Sequence, residues 1–190
     1  SNTSYIHSAE LLAANLGTGN NNIVVLGKEG STKKSGFVGY KLVSDSASDD
    51  NLLVFGHFGT TELMSINGAG NVGIGKSSID MARDGRTALE IGAEGTFYSN
   101  TTSAQGNVTG LGHNYYYDSS NQAKFMRANE EAATMEIYNG GFYFYSDSRT
   151  DQSADANASV TSKLTILADG NVGIGTDNPA SSLHVQAANP

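Results

Sequence analysis

Gly70-Asn71-Val72-Gly73-Ile74-Gly75 returns unchanged as Gly170-Asn171-Val172-Gly173-Ile174-Gly175. Each copy follows a short alternation of apolar and polar residues, Met64-Ser65-Ile66 in the first and Leu164-Thr165-Ile166 in the second. The opening of each unit is also shared: Leu26-Gly27-Lys28-Glu29-Gly30 is matched by Ile91-Gly92-Ala93-Glu94-Gly95. The chain therefore reads as one module laid twice, end to end. Serial modules are the plan of elongated proteins more than of compact enzymes.

The first copy, extended through Lys76-Ser77, satisfies the phosphate-binding pattern G-x-x-x-x-G-K-[ST]. That pattern carries chemistry only when a helix follows and aims its N–H groups at phosphate. Here Ser78–Arg83 leads to a glycine within two turns, and no parallel-strand pattern comes after it. The second copy has Thr176-Asp177-Asn178-Pro179 in place of the lysine, and proline ends any helix there. A loop that keeps its glycines and loses its lysine is repeated for its shape.

Composition narrows the class. With 23 Gly, 2 Pro and many Ser, Thr and Asn, the chain has many turns and short strands. Its large apolar residues are few for its length, so a single copy builds a thin core that association would relieve. The net charge of −8 disfavours a nucleic-acid partner, whose phosphates need a basic footprint. Cysteine is absent, which removes disulfides, thiol nucleophiles and cysteine-ligated metals. No apolar run approaches a membrane span, so no membrane insertion is expected.

The expected fold class is all-β, in two β-rich modules. Residues 1–22 form a lead-in, with Ser8–Leu16 either a short helix or extended. Residues 23–76 are the first module, 77–86 a linker, 87–176 the second module and 177–190 an exit segment. Asn139-Gly140, between Ile137-Tyr138 and Phe142-Tyr143, is a strong hairpin signal because Asn-Gly suits a turn with positive φ. Val108–Tyr117 reads as one strand.

Within each hexapeptide Val72 and Ile74, or Val172 and Ile174, point to one side, while the glycines point to the other. A strand bare on one face lets another backbone approach closely. In a threefold assembly this places Val72, Gly73, Ile74, Val172, Gly173 and Ile174 at the subunit interface, in a glycine-rich intertwined segment closing each module. A glycine-rich turn inside one monomer is the alternative.

Leu164–Val185 (LTILADGNVGIGTDNPASSLHV) resembles a segment of bacteriophage tail fibres and related trimeric adhesins, often found ahead of an endosialidase-type intramolecular chaperone. Ser65–Ser78 (SINGAGNVGIGKSS) is a second, looser copy. Gly110–Phe125 with Tyr138–Ser148 is similar to the repeat preceding that segment, and Leu11–Val43 also resembles fibre modules. The resemblance covers most of the chain. It implies a homotrimer, an extracellular place on a virion tail fibre or a bacterial surface fibre, and adhesion to a glycan of a host or prey cell. The chaperone's Ser/Lys dyad has no counterpart in these residues, so no self-cleavage is expected of them.

The aromatic sets supply the candidate ligand contacts. Rings stack on sugar faces and tyrosine hydroxyls bond sugar hydroxyls. His113, Asn114, Tyr115, Tyr117, Tyr143 and Tyr145 are the glycan-binding candidates. No catalytic residue, metal ligand or cofactor is assigned. Asp45, Asp49 and Asp50 lack the spacing of a calcium loop. Glu130, Glu131 and Glu136 would serve a glycosidase only as opposed carboxylates. The reading is a non-catalytic trimeric fibre tip or adhesin. The alternatives are a structural shaft without a ligand of its own and, below it, a polysaccharide depolymerase.

Overall fold

The computed structural model describes residues 9–30, 33–46, 48–59, 62–76, 78–81, 85–100 and 107–187. Residues 1–8 of the lead-in, 77 and 82–84 of the linker, and 188–190 of the exit segment lie outside the described residues. In chain order the strands are β1 (Asn21–Gly27), β2 (Ser35–Lys41), β3 (Leu52–His57), β4 (Glu62–Asn67), β5 (Val72–Ile74), β6 (Arg86–Ile91), β7 (Gly95–Asn100) and β8 (Thr109–His113). They continue with β9 (Tyr116–Tyr117), β10 (Ala123–Lys124), β11 (Ala132–Tyr138), β12 (Gly141–Asp147), β13 (Thr161–Ile166), β14 (Val172–Ile174) and β15 (Leu183–Val185). The fold is all-β, with no helix among the described residues.

Each residue of the hexapeptide has a mechanical role. Gly70 (φ 85°) and Gly170 (φ 88°) close hairpin turns in the left-handed region, where a side chain is penalised. Their amides donate to the carbonyls of Asn67 and Leu167 at 3.0 and 2.9 Å. The turns pair β4 with β5, and β13 with β14, antiparallel. Gly75 (φ 68°) and Gly175 (φ 74°) then bend the chain out of the sheet. It crosses one face and re-enters parallel to the strand it left, as β6 beside β5 and β15 beside β14. A parallel neighbour requires such a crossover, because a tight hairpin makes only antiparallel pairs.

The middle glycine lies beneath that crossover. A Cβ on Gly73 would meet Ser65 Oγ at 3.0 Å and Ile79 Cγ1 at 3.3 Å. On Gly173 it would press well under 3.0 Å on the Thr176 carbonyl and meet Thr176 Cγ2 at 3.1 Å. Both glycines are buried against their own chain. The atoms nearest these positions belong to the same chain: the Ser65 and Ile79 side chains at Gly73, and the Thr176 backbone of the crossover at Gly173. Asn71 completes the first unit: its side chain donates to the Met81 carbonyl at 2.9 Å and accepts the Ala88 amide at 2.8 Å, tying crossover to β6.

Thirteen strands form one sheet in the order β1 to β8, then β11 to β15, while β9 and β10 make a separate ribbon. The sheet continues from the first unit into the second without interruption, because β5 pairs with β6. The two units are thus continuous, and the exit segment contributes β15. The stretch 9–16 is not helical; it carries an isolated turn at Ala14-Asn15. The long strand expected over Val108–Tyr117 breaks at Asn114 (φ 51°) into β8 and β9.

One face of the sheet is covered. Met81 from the first crossover and Tyr115, Tyr116, Phe125 and Met126 from the segment between β8 and β11 pack on Ala88, Tyr98 and Ala132 of the sheet. Val108, Ala156, Ala158 and Val160 edge this core.

Candidate interaction face

The opposite face is open and apolar. Register links one side-chain row through every strand of the sheet. In the first half it runs Asn22–Tyr40–Leu53–Ile66–Val72–Leu89. It continues through Phe97, Leu111, Met135, Phe144, Leu164 and Ile174 to Val185. A flanking row, Val24–Val38–Phe55–Met64–Ile74–Ile91, widens it in the first half. Phe97 is 50% exposed, Leu111 54% and Ile174 44%. From β2 to β15 twelve strands at about 4.8 Å make the apolar part of this stripe about 50 Å long, and at about 10 Å wide it covers about 500 Å². That lies toward the upper end of the about 300–600 Å² of the largest apolar patch on a typical monomer, a patch that is often an interaction site.

Val72, Ile74, Val172 and Ile174 stand on this open face, as alternation requires. The sequence reading missed the larger contributors, Leu53, Phe97, Leu111 and Phe144. Their strands each alternate, but only the cross-strand register shows that the apolar sides align.

The glycan candidates are divided between the two faces. His113 follows Leu111 on the open side and is exposed, with Nδ1 3.6 Å from Glu94 Oε2; Arg127 NH1 holds the other oxygen of Glu94 at 3.1 Å. Asn114 is 0% exposed. Its Nδ2 donates to the carbonyls of Glu130 and Glu131, each at 3.1 Å, and its Oδ1 accepts the Arg127 amide at 2.7 Å. Asn114 thus stabilises its own left-handed backbone and turns the chain from one face to the other.

Tyr115, 1% exposed, belongs to the covering segment, and its hydroxyl donates to the Tyr117 hydroxyl at 2.9 Å. Glu136 Oε1 accepts from Tyr117 at 3.1 Å and from Tyr98 at 2.5 Å. The Arg86 guanidinium lies 3.8 Å from the centre of the Tyr117 ring, a cation–π contact inside the core. Burial, with the nearby Glu136 charge and neighbouring hydroxyls, pushes the phenols of Tyr98 and Tyr115 far above the ordinary tyrosine range. Tyr143 is buried and stacks on Tyr138 with ring centres 4.0 Å apart; Tyr145 is half-buried, its hydroxyl 3.0 Å from that of Tyr138. These rings are occupied with one another. Glu136 is likewise engaged by tyrosine hydroxyls rather than set opposite a second carboxylate.

Lys76, the lysine of the phosphate-binding pattern, is also accounted for. Its Nζ donates to Asp80 Oδ2 at 2.6 Å and to the fully buried Glu90 Oε2 at 2.5 Å. Glu90 in turn accepts the amides of Asp80 and Met81, at 2.9 and 2.6 Å. The cluster clamps the first crossover over Gly73. In the second unit His184 occupies the place of Glu90, opposite Gly173, and its Nδ1 accepts the Ala180 amide at 3.2 Å.

Neither a protein-family model nor a curated protein sequence matches this chain. What fold and face define is an all-β sheet with one side partly covered by its own loops and one open, apolar side.

Proposed function

We propose that this chain is a building module of a homotrimeric extracellular fibre, in which three copies turn their open sheet faces toward a common axis. The observation that carries the reading is the unbroken apolar row across twelve of the thirteen strands of the sheet, from Tyr40 on β2 to Val185 on β15, on the side its own loops leave bare. Burying that stripe supplies the core that one copy lacks. Two copies face to face would also cover it. The threefold form rests on the resemblance of the hexapeptide segment to tail-fibre and adhesin repeats.

Within that reading, the shaft form has the firmer support. Asn114 and Tyr115 are buried, and the stacked tyrosines bond one another, so of the six glycan candidates His113 is the side chain left on an open surface. Adhesion to a host or prey glycan then belongs to the fibre as a whole, with this segment giving reach and rigidity. The segment itself performs no reaction.

Sedimentation equilibrium tests the proposal. A mass near three times 19.8 kDa is the expected result, and Phe97→Asp should reduce it to one copy with β-sheet circular dichroism retained. A wild-type chain that stays monomeric at micromolar concentration overturns the reading, and a stable dimer overturns its threefold form.

A further inference from the structure

The chain holds two Asn-Gly pairs, Asn67-Gly68 and Asn139-Gly140, each in a hairpin turn between neighbouring strands of the sheet. Asparagine before glycine is the pair most open to attack by the backbone on a side-chain amide. Glycine has no side chain to shield its nitrogen or to restrict the rotation that brings it into place. The structure holds the two pairs differently.

Asn67 is tied down on every side. Its Oδ1 accepts the Asn71 amide at 2.9 Å, and its own amide donates to the Asn71 carbonyl at 3.0 Å. The Gly68 nitrogen, which would have to attack, donates to the Asp49 carbonyl at 2.8 Å. Asn139 stands exposed at the tip of the β11–β12 hairpin, with φ 50°, and Gly140 follows at 75°. Among the described residues, neither the Asn139 side chain nor the Gly140 amide has a hydrogen-bond partner. Rotation of the Gly140 nitrogen toward the Asn139 carboxamide therefore breaks no bond held by either group.

We infer that Asn139 is a site of spontaneous deamidation and isomerisation, and that Asn67 is protected from the same reaction. The Gly140 nitrogen gives up its proton to solvent base and bonds to Asn139 Cγ. The Cγ–Nδ2 bond breaks, and the nitrogen leaves as ammonia after taking a proton from water. The resulting five-membered imide is opened by water at either carbonyl, so the products are aspartyl and isoaspartyl. The isoaspartyl link puts an extra carbon into the backbone of a two-residue turn. That turn joins Ile137 to Phe142, which pair across the hairpin and stand on the open face, 38% and 44% exposed. It also abuts the second hexapeptide unit, since a Cβ on Gly140 would lie 3.1 Å from Ala168 Cβ. The inference needs one copy of the chain only, so it is independent of the threefold reading.

The test incubates the full chain at 37 °C in mildly alkaline buffer, followed by peptide mapping with mass spectrometry. Conversion at Asn139 should appear as a gain of one mass unit, with aspartyl and isoaspartyl products together. It should run about tenfold or more faster than at Asn67, where hydrogen bonds must first be broken. In urea, where both turns are lost, the two rates should converge. An intact Asn139, equal rates in the folded chain, or a contrast that persists in urea would each overturn the assignment.

Discussion

Gly73 and Gly173 occupy the same place in two identical hexapeptides, yet alanine should be tolerated at one and not at the other. At Gly73 the new methyl meets the Ser65 hydroxyl at 3.0 Å and Ile79 Cγ1 at 3.3 Å, both side-chain atoms able to shift by a few tenths of an ångström. Removing a glycine also restricts the unfolded chain, a gain of about 0.4–1 kcal/mol. The net for Gly73→Ala is therefore within about 1 kcal/mol of zero. At Gly173 the methyl presses on the Thr176 carbonyl, a backbone atom of the crossover that cannot rotate away. Overpacking of that kind costs about 1–3 kcal/mol, and the upper end applies because the crossover must lift. A gap of about 2 kcal/mol between the variants corresponds to about 4–8 °C in melting temperature for a chain of this size. Scanning calorimetry at matched protein concentration measures it, since assembly makes the midpoint depend on concentration. Equal shifts for the two variants would refute the reasoning. So would two variants that fold normally but fail to associate, because the glycines would then be crowded by another subunit.

Lys76→Met leaves Glu90 buried without its cation and should destabilise the chain by about 3 kcal/mol in urea titration, with Glu90→Gln in the same chain recovering part of the loss. Asp147 is held down to about 2 chiefly by its hydrogen bonds from Arg149, helped by the Ser159 amide. Its folded value lies below its unfolded one, so its contribution is present above about pH 4 and fades as pH falls toward 2; Asp147→Asn should flatten that acid limb of the stability curve. The raised phenols of Tyr98, Tyr115, Tyr116 and Tyr145 work in the opposite sense. Their contribution is complete below about pH 10 and is lost as pH rises, so absorbance at alkaline pH should show these rings ionising only as the chain unfolds. His184 can accept the Ala180 amide only through an unprotonated Nδ1. His184→Ala removes that acceptor, so amide exchange at Ala180 should quicken severalfold by mass spectrometry, and an unchanged rate would show that the bond gives no protection.

Local structure was the legible part of this sequence. The Asn139-Gly140 turn, the strands beside it and the structural purpose of the hexapeptide all follow from short-range chemistry: positive φ at glycine or asparagine, and period-two alternation. Pairing over distance left weaker marks. Nothing in the sequence between β5 and β6 announces that the two strands pair in parallel, so that stretch reads as a linker. Leu183-His184-Val185 is too short to assert itself as a strand until β14 lies beside it. The alanines and leucines of 9–16 have helical propensity, but the stretch is too short to hold a helix without an apolar surface to lie on. Among the site candidates, periodicity separates His113 from Tyr115 only if the strand is straight between them. The reversal at Asn114, fixed by three hydrogen-bonded neighbours distant in sequence, decides which of those rings meets solvent.

Apart from the excursion between β8 and β11, every strand of the sheet lies against its immediate predecessor in the chain. Such a ribbon is a ruler. Adding or deleting one hairpin at a turn changes its length by about 10 Å and leaves every other pairing intact. Tandem duplication of a unit would lengthen such a sheet without disturbing its pairing, and the twin hexapeptides have the form such an event would leave behind.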